Sequence, residues 1–173
     1  MIYLPHRAVF IHIPRTAGNS VTSAIASACA GKGVDIILGS NAGIKNWGSF
    51  HRHMTANKLK EIIDEWDDIY KFAVHRPMED RVQSAARLIE RDVRNKVHEK
   101  PSCPEPWRRV LKGEDKEYWK SFMQQTTEWY TQGGSSEDLG VELFNFSEIN
   151  NKWHEICDKC KTPQCYLPRL NKG

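Results

Sequence analysis

Three short segments hold residue types that could do chemistry on an anion. Pro14-Arg15-Thr16-Ala17-Gly18-Asn19-Ser20 supplies a cation, two hydroxyls, a flexible glycine and main-chain amides. An anion seated there would gain charge-assisted hydrogen bonds. His51-Arg52-His53 sets two histidines one residue apart. Imidazole titrates near neutral pH and can take a proton from a hydroxyl; an H-x-H pair could also ligate a metal, but no third ligand is suggested nearby. Residues 76–84, R-P-M-E-D-R-V-Q-S, offer Arg76, Arg81 and Ser84, with Glu79 and Asp80 among them. Taken alone, that segment reads as a solvated amphipathic helix whose carboxylates neutralise its arginines. Cys157, Cys160 and Cys165 have a spacing at which thiolates can bind zinc, with His154 close by. Five cysteines, an odd count in a chain that shows no leader, read instead as reduced structural thiols, and no metal is expected.

The elements that must position these groups follow from periodicity and breakers. Residues 8–13, A-V-F-I-H-I, are a short apolar run with β-branched side chains, hence a buried strand that Pro14 stops. Residues 20–30 read as a helix closed by Gly31 and Gly33, and 34–38 as a second strand. Residues 40–50, rich in Gly and Asn, read as loop. Thr55 is the N-cap of a helix reaching Trp66, and 69–75 form a third strand. Pro77 opens a helix that runs to about Val97. Three prolines break 100–106, 115–132 is helical, 141–146 is a fourth strand, and Ser147 opens a last helix. Strands alternating with helices predict an α/β domain, a parallel sheet flanked by helices on both faces. The first strand, glycine-containing loop and helix form the geometry that binds phosphate, because amides and the positive helix end aim at one spot. It is not a Walker A loop, since G-x-x-x-x-G-K-[ST] is absent, so ATP or GTP hydrolysis loses support.

The whole chain bounds the answer further. Its 173 residues suit a single domain over 1–173. With 39% hydrophobic and 27% charged residues the balance is that of an ordinary globular protein. A net charge of +3 argues against a general polyanion or nucleic-acid binder and leaves room for one local basic pocket. No stretch approaches the roughly 20 apolar residues of a membrane span. Residues 1–7 lack the charged and then apolar pattern of a leader, so a soluble, cytoplasmic protein is the expectation. Oligomeric state leaves no mark in the pattern.

In this order the three segments resemble the sulfotransferases that use 3′-phosphoadenosine 5′-phosphosulfate (PAPS), specifically the carbohydrate group that includes heparan sulfate 2-O-sulfotransferases. The family's first signature reads like H-I-P-K-T-A-G-T-S. Residues 12–20 read H-I-P-R-T-A-G-N-S, with Arg15 for a lysine and Asn19 for a threonine. The second reads like F-V-R-N-P-Y-D-R-L-V-S-A. Residues 73–85 read A-V-H-R-P-M-E-D-R-V-Q-S-A, with the proline one position early. Residues 50–56, F-H-R-H-M-T-A, look like the stretch that holds the family's catalytic histidine. Residues 141–149 and 167–172, the latter L-P-R-L-N-K beside the family's L-P-H-L-N-K, extend the likeness along the chain.

The resemblance implies a P-loop-like sulfotransferase fold and PAPS as co-substrate, with no metal. It implies a hydroxyl acceptor, a carbohydrate first. It places Arg15, Thr16, Ala17, Gly18, Asn19 and Ser20 around the 5′-phosphosulfate. Arg76 and Ser84 fall at the 3′-phosphate, with Arg81 beside them and Asn171 close to the nucleotide. His53 is the first choice of base and His51 the second, while Arg15 stabilises developing charge. Trp47 and Trp107 could stack on sugar rings, and Arg108, Arg109 and Lys112 could meet an acidic glycan or form an exposed basic turn. Three rivals stand beside this reading. One is a small-molecule kinase, which would need a loop lysine and an acidic magnesium ligand. Another is a non-catalytic module that holds a nucleotide or glycan. The third is a sulfotransferase acting on a small alcohol or lipid.

Overall fold

Residues 1–39 and 51–169 are described in this computed structural model, the side chains of 118, 119, 121 and 122 excepted. They fall into two compact units, Met1–Arg76 with Thr127–Lys172, and Pro77–Thr126. The strands are β1 Ile2–Leu4, β2 Ala8–Ile11, β3 Ile37–Leu38, β4 Tyr70–His75 and β5 Val141–Asn145. The helices are α1 Gly18–Cys29, α2 Ala56–Lys60, α3 Met78–Arg94, α4 Glu105–Leu111, α5 Lys116–Gln124, α6 Thr127–Gln132 and α7 Ile149–Lys159.

The first unit is built on one sheet of order β3-β1-β2-β4-β5. β2, β4 and β5 run parallel, with Ala8 opposite Tyr70 and Lys71 opposite Val141. β1 is antiparallel to both its neighbours. The sheet is therefore mixed, a correction to the parallel sheet expected from strand–helix alternation. The cause is the turn between β1 and β2. The Arg7 amide donates to the Leu4 carbonyl at 3.0 Å and His6 takes a left-handed φ of 57°. A chain that reverses within three residues can only pair antiparallel. Glu65 pins that turn, accepting from the Tyr3 hydroxyl and, at 3.0 Å, from the His6 amide. Those bonds, the tyrosine's first, hold its carboxyl below the usual range. β1 escaped sequence reasoning because all three of its residues are buried, so no alternation marks it.

Side chains of successive strand residues point to opposite faces. Leu4, Phe10, Phe72 and Val74 meet α1 and α7 through Val21, Ile25, Trp153 and Ile156. Val9, Ile11 and Ala73 meet α2 and α6 on the other face through Leu59 and Tyr130, joined by Ile63 and Trp66. Helices on both faces make this an α/β unit, as expected. Thr55 caps α2 as read, its hydroxyl accepting from the Lys58 amide at 3.4 Å. The helix nevertheless ends at Lys60, and a single 3₁₀ turn at Trp66–Asp68 carries the chain into β4. Among the described residues no helix is long and apolar enough to cross a membrane.

In the second unit α3 packs with α4 and α5. Arg81 is 1% exposed and its Nη1 donates to the Gln125 carbonyl at 2.9 Å. That bond takes the carbonyl just where the helix expected over 115–132 stops, so the segment forms two helices. Trp107, read as able to stack on a sugar ring, commits its indole N–H to Asp92 at 3.1 Å. Arg108, Arg109 and Lys112 pair with Glu105, Asp115 and Glu114 at 3.5, 3.6 and 4.0 Å, so the basic turn is neutralised within its own surface. Arg81→Ala leaves a part-buried carbonyl short of its donor and should cost about 1 kcal/mol or more of unfolding free energy in urea denaturation; unchanged stability would remove the structural role given to this arginine.

Candidate functional site

The loop after β2 is shaped by its own chemistry. Pro14 brings no N–H to the ladder, so the strand cannot continue through it. The buried Thr16 hydroxyl donates to the Ile13 carbonyl at 2.8 Å and closes the loop on itself. Of the two hydroxyls read in this segment, that of Thr16 is thus used internally. Arg15 and Ala17 sit at φ 64° and 68°, the left-handed region that L-residues avoid at roughly 1–3 kcal/mol each. Left-handed residues of this kind are among the backbone conformations from which anion-binding nests are built. α1 then begins with no side-chain cap and no acidic residue in its first turn. Its positive end and first amides, those of Gly18 and Asn19 included, are offered to the loop. Asn19 is exposed, Ser20 is buried and Ala17 half-buried.

Behind that loop lies a histidine pair. A Cβ on Gly18 would fall 1.7 Å from Nε2 of His12. Only glycine allows α1 to start this close to β2. The His12 ring is 5% exposed, stacks on Phe10 with centroids 5.7 Å apart, and tilts against His53 at 4.6 Å. Burial holds its pKa well below the usual imidazole value, helped by His53 and by the cations Arg52 and Arg15. The ring is therefore neutral, and its Nδ1 meets no hydrogen-bond partner among the described residues. The His12 carbonyl lies 2.8 Å from Nδ1 of His53. A carbonyl can only accept, so Nδ1 of the neutral ring carries the proton and Nε2 carries the lone pair. That is the tautomer of a base working through Nε2. His51, the second choice, is exposed. His12 thus links His53 to the start of α1.

Cations approach the same edge. β2 and β4 are parallel neighbours, so their carboxyl ends adjoin, and open α/β sheets bind ligands at such ends. Arg76 follows β4 there. Its Nη1 lies 3.5 Å from the Arg15 carbonyl, and its guanidinium carbon 4.4 Å from the Phe146 ring centroid. His75, one residue earlier, shares a 2.8 Å hydrogen bond with the Thr127 hydroxyl. Arg81 and half-buried Ser84 belong to the second unit, on the first two turns of α3. Glu79 and Asp80 occupy the first turn of that helix, so carboxylates already answer its positive end. Asn171 and Trp47 lie outside the described residues. Among the described residues no group of three or more His, Cys, Asp or Glu side chains is placed to hold a metal ion. His12 stood in the sequence only as a letter of a motif. The signal that could have singled it out is the two-residue period: it faces the same way as Phe10 at the end of a wholly buried strand.

A buried neutral imidazole makes stability depend on pH. Above the ordinary value of 6.5 His12 is neutral both folded and unfolded, so its ionisation contributes nothing. Below it the unfolded chain takes up a proton that the folded chain refuses, and stability falls by up to about 1.4 kcal/mol per pH unit. Denaturation between pH 6.5 and 5 should show this loss, and His12→Gln should flatten it; an equal slope in both proteins would contradict the neutral state. Gly18→Ala forces the His12 ring aside and should cost about 1–3 kcal/mol as overpacking, read as a lower denaturation midpoint with altered His53 ring resonances in NMR. An undisturbed Gly18→Ala protein would mean that the contact is not tight in solution.

Compared with known proteins, the chain matches no family model, no curated protein and no solved structure, so a reading of this site rests on the geometry and chemistry of its own residues.

Proposed function

We propose that the protein is a sulfotransferase that moves a sulfuryl group from PAPS to a hydroxyl, with a carbohydrate as the first acceptor to test. One observation carries the reading: a tautomer-fixed base, His53, is held through His12 against the opening turn of an uncapped helix. The likeness of residues 12–20 and 73–85 to the sulfotransferase signatures supports the choice of co-substrate. Sulfuryl transfer is an in-line displacement that asks little covalent work of a protein, so positioning and charge stabilisation suffice. The amides around Gly18, with Arg15, hold the 5′-phosphosulfate and stabilise charge as its phosphate oxygen leaves. Nε2 of His53 takes the acceptor's proton while the acceptor oxygen bonds to sulfur and the bond from sulfur to the phosphate oxygen breaks. The products are the sulfated acceptor and 3′-phosphoadenosine 5′-phosphate. Arg76, which directly follows β4, is the principal cation for the 3′-phosphate. The scheme draws on no metal ion.

Calorimetry with 3′-phosphoadenosine 5′-phosphate, ADP and ATP separates this reading from its rivals. Micromolar binding that needs the 3′-phosphate and not magnesium is expected; a preference for magnesium-ATP would favour a kinase. Arg76→Ala removes a charged partner and should weaken that binding about 10- to 100-fold; equal affinity would take Arg76 out of the site. His53→Ala should lower sulfuryl transfer about 10²–10⁴-fold and leave nucleotide affinity nearly intact. Turnover that survives this change would mean that another group is the base.

A further inference from the structure

Four thiols, those of Cys29, Cys157, Cys160 and Cys165, gather on the α1–α7 side of the sheet. Their spacing in the sequence does not say which of them react together; their placement does. Sγ of Cys157 and Sγ of Cys165 are 4.0 Å apart. The segment that brings Cys165 back to α7 is tied down along its length. Lys161 makes the turn at a left-handed φ of 52°. The Thr162 amide and hydroxyl both donate to the Cys157 carbonyl, at 3.0 and 3.3 Å. The Gln164 side chain donates to the His154 carbonyl and to Asp158 at 3.2 and 2.7 Å. The Trp153 indole donates to the Cys165 carbonyl at 2.9 Å. Bonded sulfurs lie about 2.05 Å apart, so a further approach of about 2 Å completes a disulfide whose loop is already ordered.

Access to the pair is one-sided. Cys157 is 1% exposed, whereas Cys165 is partly exposed and lines an open depression of about 670 Å³. Asn150, His154, Gln164 and Arg169 share that lining. Amide and cationic groups of this kind suit a small thiol compound that bears carboxylates. Cys160 is wholly buried, and its thiol is pushed up by burial first and then by Cys157 and Cys29, so it competes poorly.

We infer that Cys165 is the entry thiol of a reversible disulfide with Cys157, formed by exchange with a small disulfide of the glutathione type. The Cys165 thiolate attacks one sulfur of that compound. The compound's S–S bond breaks, one small thiol leaves with a proton, and a mixed disulfide remains on Cys165. Cys157 then attacks Sγ of Cys165, and the second small thiol leaves with the proton that Cys157 gives up. Two protein thiols are oxidised and one small disulfide is reduced to two thiols. Burial, with Cys165 beside it, pushes the Cys157 thiol up to about 11. Little thiolate is present at neutral pH, so ring closure is the slow step and gains about tenfold per pH unit. This inference is independent of the proposed activity.

The test exposes the full chain to oxidised and reduced glutathione in varied ratio, traps thiols by alkylation and reads intact mass and tryptic peptides. Cleavage at Lys159 and Lys161 separates the two cysteines unless they are bonded. The expected product is one intrachain link from Cys157 to Cys165, reversed by dithiothreitol and formed about tenfold faster at pH 8 than at pH 7. Cys157→Ala should stop at one glutathione per chain, on Cys165. Cys165→Ser, at a partly exposed position, should keep the fold and form neither product. A link from Cys157 to Cys29 or Cys160, links only between chains, or glutathione on Cys165 that never yields to Cys157 would overturn the inference.

Discussion

The His12 ring occupies the place where a Gly18 side chain would be, and the His12 carbonyl holds the proton of His53 Nδ1. One residue just after β2 thereby sets two distances at once: how near α1 comes to the sheet, and where the basic nitrogen of His53 lies. The loop between β2 and α1 must span what remains, and it does so with Arg15 and Ala17 in the left-handed region and the Thr16 hydroxyl turned back to Ile13. Moving any one of these would move the others, because ring, helix start and carbonyl share one small volume.

Such an arrangement costs stability, and the sheet absorbs the cost. Two left-handed residues and a buried neutral imidazole are tolerated only where the surrounding structure leaves no alternative. β2 is the middle strand of five, paired on both sides, and Val9, Phe10 and Ile11 are wholly buried. The helices of both faces close on it. The strand least able to shift therefore leads directly into the residue whose position matters most.

Much of this was legible in the residues. Apolar runs marked β2, β4 and β5, and Pro14 with Gly18 marked the loop before α1. Other features were hidden for identifiable reasons. β1 is three residues long and wholly buried, too short for a period to register; β3 falls inside the strand read at 34–38, but its antiparallel pairing, like the sheet's mixed character, depends on β1. The break between α5 and α6 follows from the Arg81–Gln125 bond between residues 44 apart, which no local window contains. The tautomer of His53 follows from a carbonyl 41 residues away. The cysteine spacing suggested a cluster, but only the return of the chain after α7 sorts Cys165 with Cys157 rather than with Cys160. Trp66 and Trp153 lie in the core, while Trp129 on α6 is 45% exposed.

The mixed sheet also orders events as the chain assembles. β1 and β2 are joined by a three-residue turn and can pair as soon as both exist. β2 and β4 join Ala8 to Tyr70, and β4 and β5 join Lys71 to Val141, so each parallel pairing closes a long loop and bears its chain entropy first. The loop at residues 14–20 is thus synthesised early, yet it gains its neighbouring strand end, and Arg76 with it, only when β4 docks. Until then residues 14–20 lack the Arg76 cation, and the edge that Arg15 and Arg76 share comes into being as a late product of folding.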